Sequence, residues 1–427
     1  MEESKKITLL RRRGKQALKG PQKRARKLRL SAALAALIIG LSSASCDGKM
    51  RAEYTNFDSA CQLGNVYYDC IVGNTIWDPS WNEIRHRLCY DPLCTHNDMN
   101  NLCPDNTWLK KNAIITDGEK LYISTLDMTL TDENNTMYSR IWSLKPDGSD
   151  FKAICTYESS GKTYAGIRYS DGYIYFARSF YRGEGYHDDL YQKIMRVATG
   201  GGKIEEVSGE LEVGTQFFVD SDNIYLISPD SDGIPRLTII GKDGKITENA
   251  APEIEGKLSH IQVYRGKTYL LAAKPTVNEA KRADGSTAIK NLNSDVLYLF
   301  DNGQTEKLGE GNFVFTADGI LFTDSDADYI GTKTMPNGPY REDEAVDFFA
   351  VTTKKLCLLD PETLSVTESA VNGLSFGDEI EVICGADGRL LVNISNQKTL
   401  FDTGNSGYRE CLMDTGNGAA VIRTYSQ

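Results

Sequence analysis

The sequence predicts an all-β chain of seven four-stranded antiparallel sheets, on three observations. One turn-and-strand phrase recurs along the chain, short turns alternate with long connections, and nothing after residue 46 keeps a helical period. The phrase is clearest at Asp171-Gly172-Tyr173-Ile174-Tyr175-Phe176. It returns at Asp117–Ile123, Ser221–Ile227, Arg265–Leu271, Asp318–Phe322 and Asp387–Val392, with a weaker copy at Gly64–Tyr68. An Asp-Gly-like pair makes the tight turn of a hairpin, and alternating aromatic and aliphatic residues after it suit a half-buried strand. Taking residues 65, 118, 172, 222, 266, 319 and 388 as markers, the copies lie 53, 54, 50, 44, 53 and 69 residues apart. That spacing holds one small sheet per copy, and such units stack or close radially. The expected architecture is a seven-bladed β-propeller of four-stranded blades over residues 60–427, in one domain because each blade packs only on its neighbours.

In chain order, residues 1–45 read as an export signal. Residues 1–30 hold 12 Lys and Arg against Glu2 and Glu3, and the apolar run Leu30–Leu41 follows. About a dozen apolar residues are short for a membrane span, which takes about 20, but suit the hydrophobic part of a signal. Cys46, directly after Ser43-Ala44-Ser45, stands where a lipoprotein cysteine would be acylated, with residues 46–59 as a tether; an uncleaved signal anchor and a cleaved, released chain are the alternatives. The expected location is the extracytoplasmic face of the cell membrane. Of the formal charge of -11, the chain after residue 30 holds -21 and gathers no basic stripe, which excludes a nucleic-acid partner.

Five of the ten cysteines, Cys61, Cys70, Cys89, Cys94 and Cys103, fall within 43 residues. Cys89, Cys94 and Cys103 read first as disulfide partners, with a structural zinc site that adds His96, or unmodified thiols, as the alternatives. Cys61 and Cys70 read as a second bridge. No other cofactor is expected: the acidic stretches Asp324–Asp328 and Asp230–Gly233 offer oxygen ligands for calcium but lack the EF-hand pattern and read as solvated loops.

Within each copy the phrase opens the second strand. In the third copy Tyr173–Ala177 is followed by a long connection, a return strand Tyr191–Ala198, a turn at Gly200-Gly201-Gly202 and an outer strand Lys203–Val207. Residues 419–424 are left over and are expected to close the ring by completing the first blade, which would otherwise expose an edge. No helix of consequence is expected, Glu279–Arg282 being only faintly helical.

Strand order puts the connections 70–85, 127–138, 178–190, 229–235, 273–294 and 325–354 on one face, where long loops on a rigid scaffold carry function. Trp77, Trp81, Tyr138, Tyr181, Tyr186, His187, Tyr329 and Tyr340 are the ligand-binding candidates there, beside Asp188, Asp189, Asp326 and Asp328. Aromatic rings next to acids suit a glycan or a peptide, or a protein of the cell envelope. None of the four histidines stands in HExxH and no GxSxG precedes a helix. The sequence therefore weighs against an enzyme and favours a binding module; the alternative is a carbohydrate-active enzyme with carboxylates near a central channel.

The Asp-Gly-x-Ile-Tyr-Phe copies, the Leu88-Cys89-Tyr90-Asp91-Pro92-Leu93-Cys94-Thr95-His96 segment and the lipoprotein-like start together resemble exported propeller proteins of Gram-positive gut bacteria. These form the DUF5050 group, with domains similar to receptor-type or TolB-type propellers. The resemblance covers roughly residues 60–425. It implies the fold and an exported location, and no particular reaction.

Overall fold

The computed structural model describes residues 60–423 apart from 64–65, 71–74, 78–85, 90, 92, 101, 132–136, 160–165, 182–189, 230–234, 242–245, 249–252, 302, 317, 336–343, 406 and 416–418. The first sheet joins β1 (Ala60–Leu63), β2 (Val66–Asp69), β3 (Thr75–Trp77) and β4 (His86–Arg87) in chain order. The second joins β5 (Leu109–Thr116), β6 (Leu121–Thr131), β7 (Met137–Leu144) and β8 (Lys152–Ser159). In the third, β9 (Ile167–Ser170), β10 (Tyr173–Tyr181) and β11 (Leu190–Ala198) are followed by β12 (Glu205–Glu206) and β13 (Leu211–Glu212), which both pair with β11. The fourth holds β14 (Gln216–Val219), β15 (Asn223–Pro229), β16 (Pro235–Gly241) and β17 (Ile246–Glu248).

The remaining strands form one eleven-stranded sheet. It contains β18 (Lys257–Tyr264), β19 (Lys267–Lys281), β20 (Thr287–Asp301), β21 (Gln304–Phe315), β22 (Ile320–Met335), β23 (Glu344–Leu359) and β24 (Val366–Asn372). It continues with β25 (Asp378–Ala386), β26 (Arg389–Asn396), β27 (Arg409–Asp414) and β28 (Ala419–Arg423). The fusion occurs at β21, which pairs with β20 up to Gly311 and with β22 from Asn312 onward.

The recurring phrase sits where its chemistry requires. At Asp171-Gly172, Arg265-Gly266 and Asp387-Gly388 both residues have positive φ, between 48° and 78°, as the primed hairpin turn demands. Two copies carry a further lock. Asp117 Oδ1 accepts the N–H groups of Glu119 and Lys120 while Oδ2 accepts the Tyr122 hydroxyl at 2.6 Å. Asp220 repeats this with Asp222, Asn223 and the Tyr225 hydroxyl, again at 2.6 Å.

The core lies between sheets. Ala113, Tyr122 and Ile141 of the second sheet pack on Ile167, Ile174, Phe176, Met195 and Val197 of the third. Phe217, Val219, Ile224 and Leu226 of the fourth pack on Tyr175, Ala177 and Ile194. Each fully buried large side chain contributes roughly 1.5–3 kcal/mol, so these seams hold consecutive meanders against one another.

Three expectations are corrected. First, the closed seven-bladed ring is not found: no sheet of the described residues closes on itself, and the strands of three successive meanders run on as one eleven-stranded sheet. Second, β28 does not complete the first sheet. It lies between β24, which it pairs in parallel, and β27, which it pairs antiparallel. Ala60–Leu63 supplies the first sheet's leading strand, so that sheet reaches four strands without it. The first and last sheets touch instead through side chains, Gln62 Nε2 donating to the Gly385 carbonyl at 3.3 Å and Tyr67 packing on Cys384, Leu391 and Leu412.

Third, a helix is present: α1 (Gln397–Thr403) is capped by Asn396, whose side chain accepts the Thr399 N–H, and ended by Gly404 in the left-handed region. Glu279–Lys281, read as faintly helical, belongs to β19. The connections 273–294 and 325–354 are also largely strand, because β19 with β20 and β22 with β23 extend into long ribbons.

Candidate metal centre

The chain between β4 and β5 crosses the second sheet from one end to the other. At its start Gly148, in the β7–β8 turn, has φ +77°, and a Cβ there would stand 1.9 Å from the Leu88 carbonyl oxygen. Only glycine lets the turn approach so closely. At its finish the Trp108 carbonyl accepts the Met128 N–H at 3.0 Å, close to the far end of β6, and the Trp108 indole donates to the Asn97 carbonyl at 2.9 Å.

Within this crossing Cys89, Cys94, His96 and Cys103 converge, each half-buried, with one ligand atom apiece all within 4.8 Å of one another. Local turns bring them together. Cys94 N–H donates to the Asp91 carbonyl, Leu93 N–H to Asp91 Oδ1, and the Thr107 N–H to the His96 carbonyl at 2.7 Å. His96 itself adopts φ +57°. Its Nδ1 lies 3.4 Å from Cys103 Sγ.

The donor set fits a tetrahedral metal ion. Zn–S bonds of about 2.3 Å imply S···S edges of roughly 3.8 Å, within small side-chain movement of the spacing found. The backbone supports thiolate character: the Asp91 N–H reaches the Cys89 sulfur and the Asp105 N–H reaches the Cys103 sulfur, each two residues on. Without a cation, burial pushes both thiols up; these amide contacts pull each down, while Cys94 raises both. A bound dication would take the place of the protons, and the cluster can hold one. Four protein ligands leave no open position, as in sites that hold structure.

Two residues outside the donor set complete the centre. Asp105 Oδ2 accepts the Cys89 N–H at 2.7 Å and Oδ1 lies 3.8 Å from Lys111 Nζ, with only 5% and 9% of the two side chains exposed. Burial pulls Lys111 down to about 8, opposed by Asp105, Cys70 and Cys103.

Among the described residues no disulfide is formed. At Cys89, Cys94 and Cys103 three thiols and an imidazole share one centre, where a bridge would join two. Cys61 lies opposite Tyr68, and Cys70, two residues further on, is diagonal to it. Burial and, after it, the neighbouring Cys70 push the Cys61 thiol up.

The other candidates are dispersed. Tyr138 on β7 faces Asp127 and Glu158 across the second sheet. Tyr329 on β22 has its hydroxyl 2.7 Å from Thr332 Oγ1 and its ring edge-on to Phe349. Trp77 and Tyr181 lie in β3 and β10. Cys46, Trp81, Tyr186, His187 and Tyr340, together with Asp188, Asp189 and Asp230–Gly233, lie outside the described residues. Asp324 and Asp326 lie on strand β22, Asp326 beside Lys354 Nζ at 3.8 Å, and no acidic group there forms a metal cluster among the described residues.

Sequence reasoning missed Asp105 and Lys111, and it missed Asp295. That carboxyl, on β20 opposite Ala273 and Gly311, is pushed up to about 6 by burial alone. The signal available for Asp105 was its position two residues after Cys103.

No protein-family model and no curated protein matches the sequence. Among solved structures the chain is similar to the β-propeller domain of the Trilobed protease from Pyrococcus furiosus, described as having an open velcro topology. The match has 13% identity and a TM-score of 0.40, over 75% of this chain and 84% of that one. It is also similar to an acylaminoacyl peptidase of Pyrococcus horikoshii, at 12% identity and a TM-score of 0.42 over 88% of this chain and 53% of that one. A third is the periplasmic gluconolactonase of Pseudomonas aeruginosa, at 11% identity and a TM-score of 0.35 over 86% and 94%. What stands is a distant, propeller-like likeness; the DUF5050 group itself is matched by no family model.

The expectation that the chain is more likely not an enzyme does not stand. It rested on the absence of HExxH and GxSxG, and the fold brings together three thiols and an imidazole that neither motif would reveal. The solved structures named above are themselves a protease's propeller domain, a peptidase and a gluconolactonase.

Proposed function

We propose that this chain is a membrane-tethered, extracytoplasmic protein that takes a glycan or a peptide at the long-connection end of its sheets, with a Cys89-Cys94-His96-Cys103 zinc clamp ordering one wall of that end. The observation that carries the reading is the convergence of the four donors within 4.8 Å on a segment that finishes beside the end of β6. Zinc is the ion that three thiolates and an imidazole suit. The basic and apolar start of the sequence and Cys46 support the tether and the compartment. Among the described residues no helix is long and apolar enough to cross a membrane.

Asp295 favours a catalytic form of the same reading. Burial pushes the Asp295 carboxyl, at the base of the β19–β20 ribbon, up to about 6, the direction a general acid toward a glycosidic bond needs. Binding of full-length protein in detergent to glycan and peptide arrays, followed by turnover of whatever binds, tests both forms. Binding with turnover lost in Asp295→Asn supports catalysis; binding without turnover leaves recognition alone; no binding to either array overturns the proposal.

A further inference from the structure

We infer that Asp105 and Lys111 form the outer shell of the metal centre, positioning two of its thiolates and balancing their charge. This rests on the reading that the Cys3His cluster holds a metal. Asp105 meets the centre twice and its charge partner once. Its backbone N–H reaches Cys103 Sγ, its Oδ2 takes the Cys89 N–H at 2.7 Å, and its Oδ1 faces Lys111 Nζ at 3.8 Å. One residue, through its carboxylate and its backbone N–H, therefore ties together the first and last cysteines of the set, 14 residues apart in sequence.

Charge explains the lysine. Three thiolates around a dication leave one net negative charge, and the Asp105 carboxylate adds another. A nearly buried ammonium beside that carboxylate, in electrostatic contact with Cys103 and Cys70, returns the balance toward neutrality. Lys111 is held there by β5, where the pairing with β6 slips between Lys111 and Ala113. That irregularity re-aims a side chain in a strand. Outer-shell partners of this kind typically raise metal affinity 10–100-fold by fixing the ligands.

The test loads full-length wild type, Asp105→Asn, Lys111→Met and Lys111→Arg with Co(II), records the thiolate-to-metal absorption, and measures zinc affinity by competition with a chromophoric chelator. Thermal unfolding of each metal-free protein serves as the control for folding. The expected result is a 10–100-fold loss of zinc affinity in Asp105→Asn and Lys111→Met with a changed Co(II) spectrum, and recovery in Lys111→Arg. Wild type that binds with all variants equal to it overturns the outer-shell role alone. Wild type that binds neither metal overturns the metal reading and this inference with it.

Discussion

The imidazole Nδ1 of His96 lies 3.4 Å from the Cys103 sulfur, across seven residues of chain and with Cys89 and Cys94 close by. Such a contact between two half-buried donors is what a shared cation would organise. Replacing either His96 or Cys94 with alanine is expected to lower zinc affinity more than about 100-fold, beyond the 10–100-fold typical of outer-shell changes. Elemental analysis after dialysis against a weak chelator reads this loss.

Metal removal should also destabilise the fold, because binding to the folded state alone adds stability by mass action. Strong chelation is expected to lower the melting temperature of wild type and leave that of Cys94→Ala unchanged. Differential scanning fluorimetry with and without chelator separates the two.

Gly148 carries the entry of the metal segment. With φ +77° and the Leu88 carbonyl where a Cβ would sit, Gly148→Ala is expected to cost more than about 1 kcal/mol and to weaken metal loading as well. Urea unfolding and zinc content of the same preparation check both effects.

The Asp–Tyr locks make a paired prediction. Tyr225→Phe removes a 2.6 Å hydrogen bond to Asp220 and should cost about 1–2 kcal/mol, and Tyr122→Phe should cost about as much at Asp117. Burial works against the Asp117 charge, yet the Tyr122 hydroxyl and the turn amides outweigh it and hold the carboxyl below its ordinary value. Its contribution is present above the unfolded-state value and is lost as pH falls through the folded one. Stability measured between pH 5 and 2 should therefore fall less steeply in Asp117→Asn.

Asp295 runs the other way. Its folded value, raised to about 6, means that the neutral form is favoured on folding, so stability is fully present below the unfolded value near 4 and declines as pH rises through 6. Asp295→Asn is expected to be more stable than wild type at pH 8 by about 2 kcal/mol and close to it at pH 4. Urea midpoints at the two pH values decide it, and an equal difference at both would contradict the assignment.

Much of the strand plan was legible because its determinants are local. Asp171-Gly172 and Asp387-Gly388 carry their turn in two adjacent residues, and Tyr173–Phe176 its burial in a two-residue period. What was not legible depended on distant partners or on too few residues to show a period. The place of β28 depends on Ala370–Asn372, about fifty residues earlier, and α1 depends on Asn396 and Gly404 framing only seven residues. At the metal centre the donors were visible as a spacing, but their convergence was not, since it depends on how the chain from Cys89 to Cys103 folds back on itself.

The most direct measurement is the elemental composition of the purified full-length protein together with its mass before and after thiol alkylation. The account predicts one zinc per chain, with Cys89, Cys94 and Cys103 alkylated only after the metal is stripped. A metal-free protein in which two of those cysteines are already joined in a disulfide would contradict it.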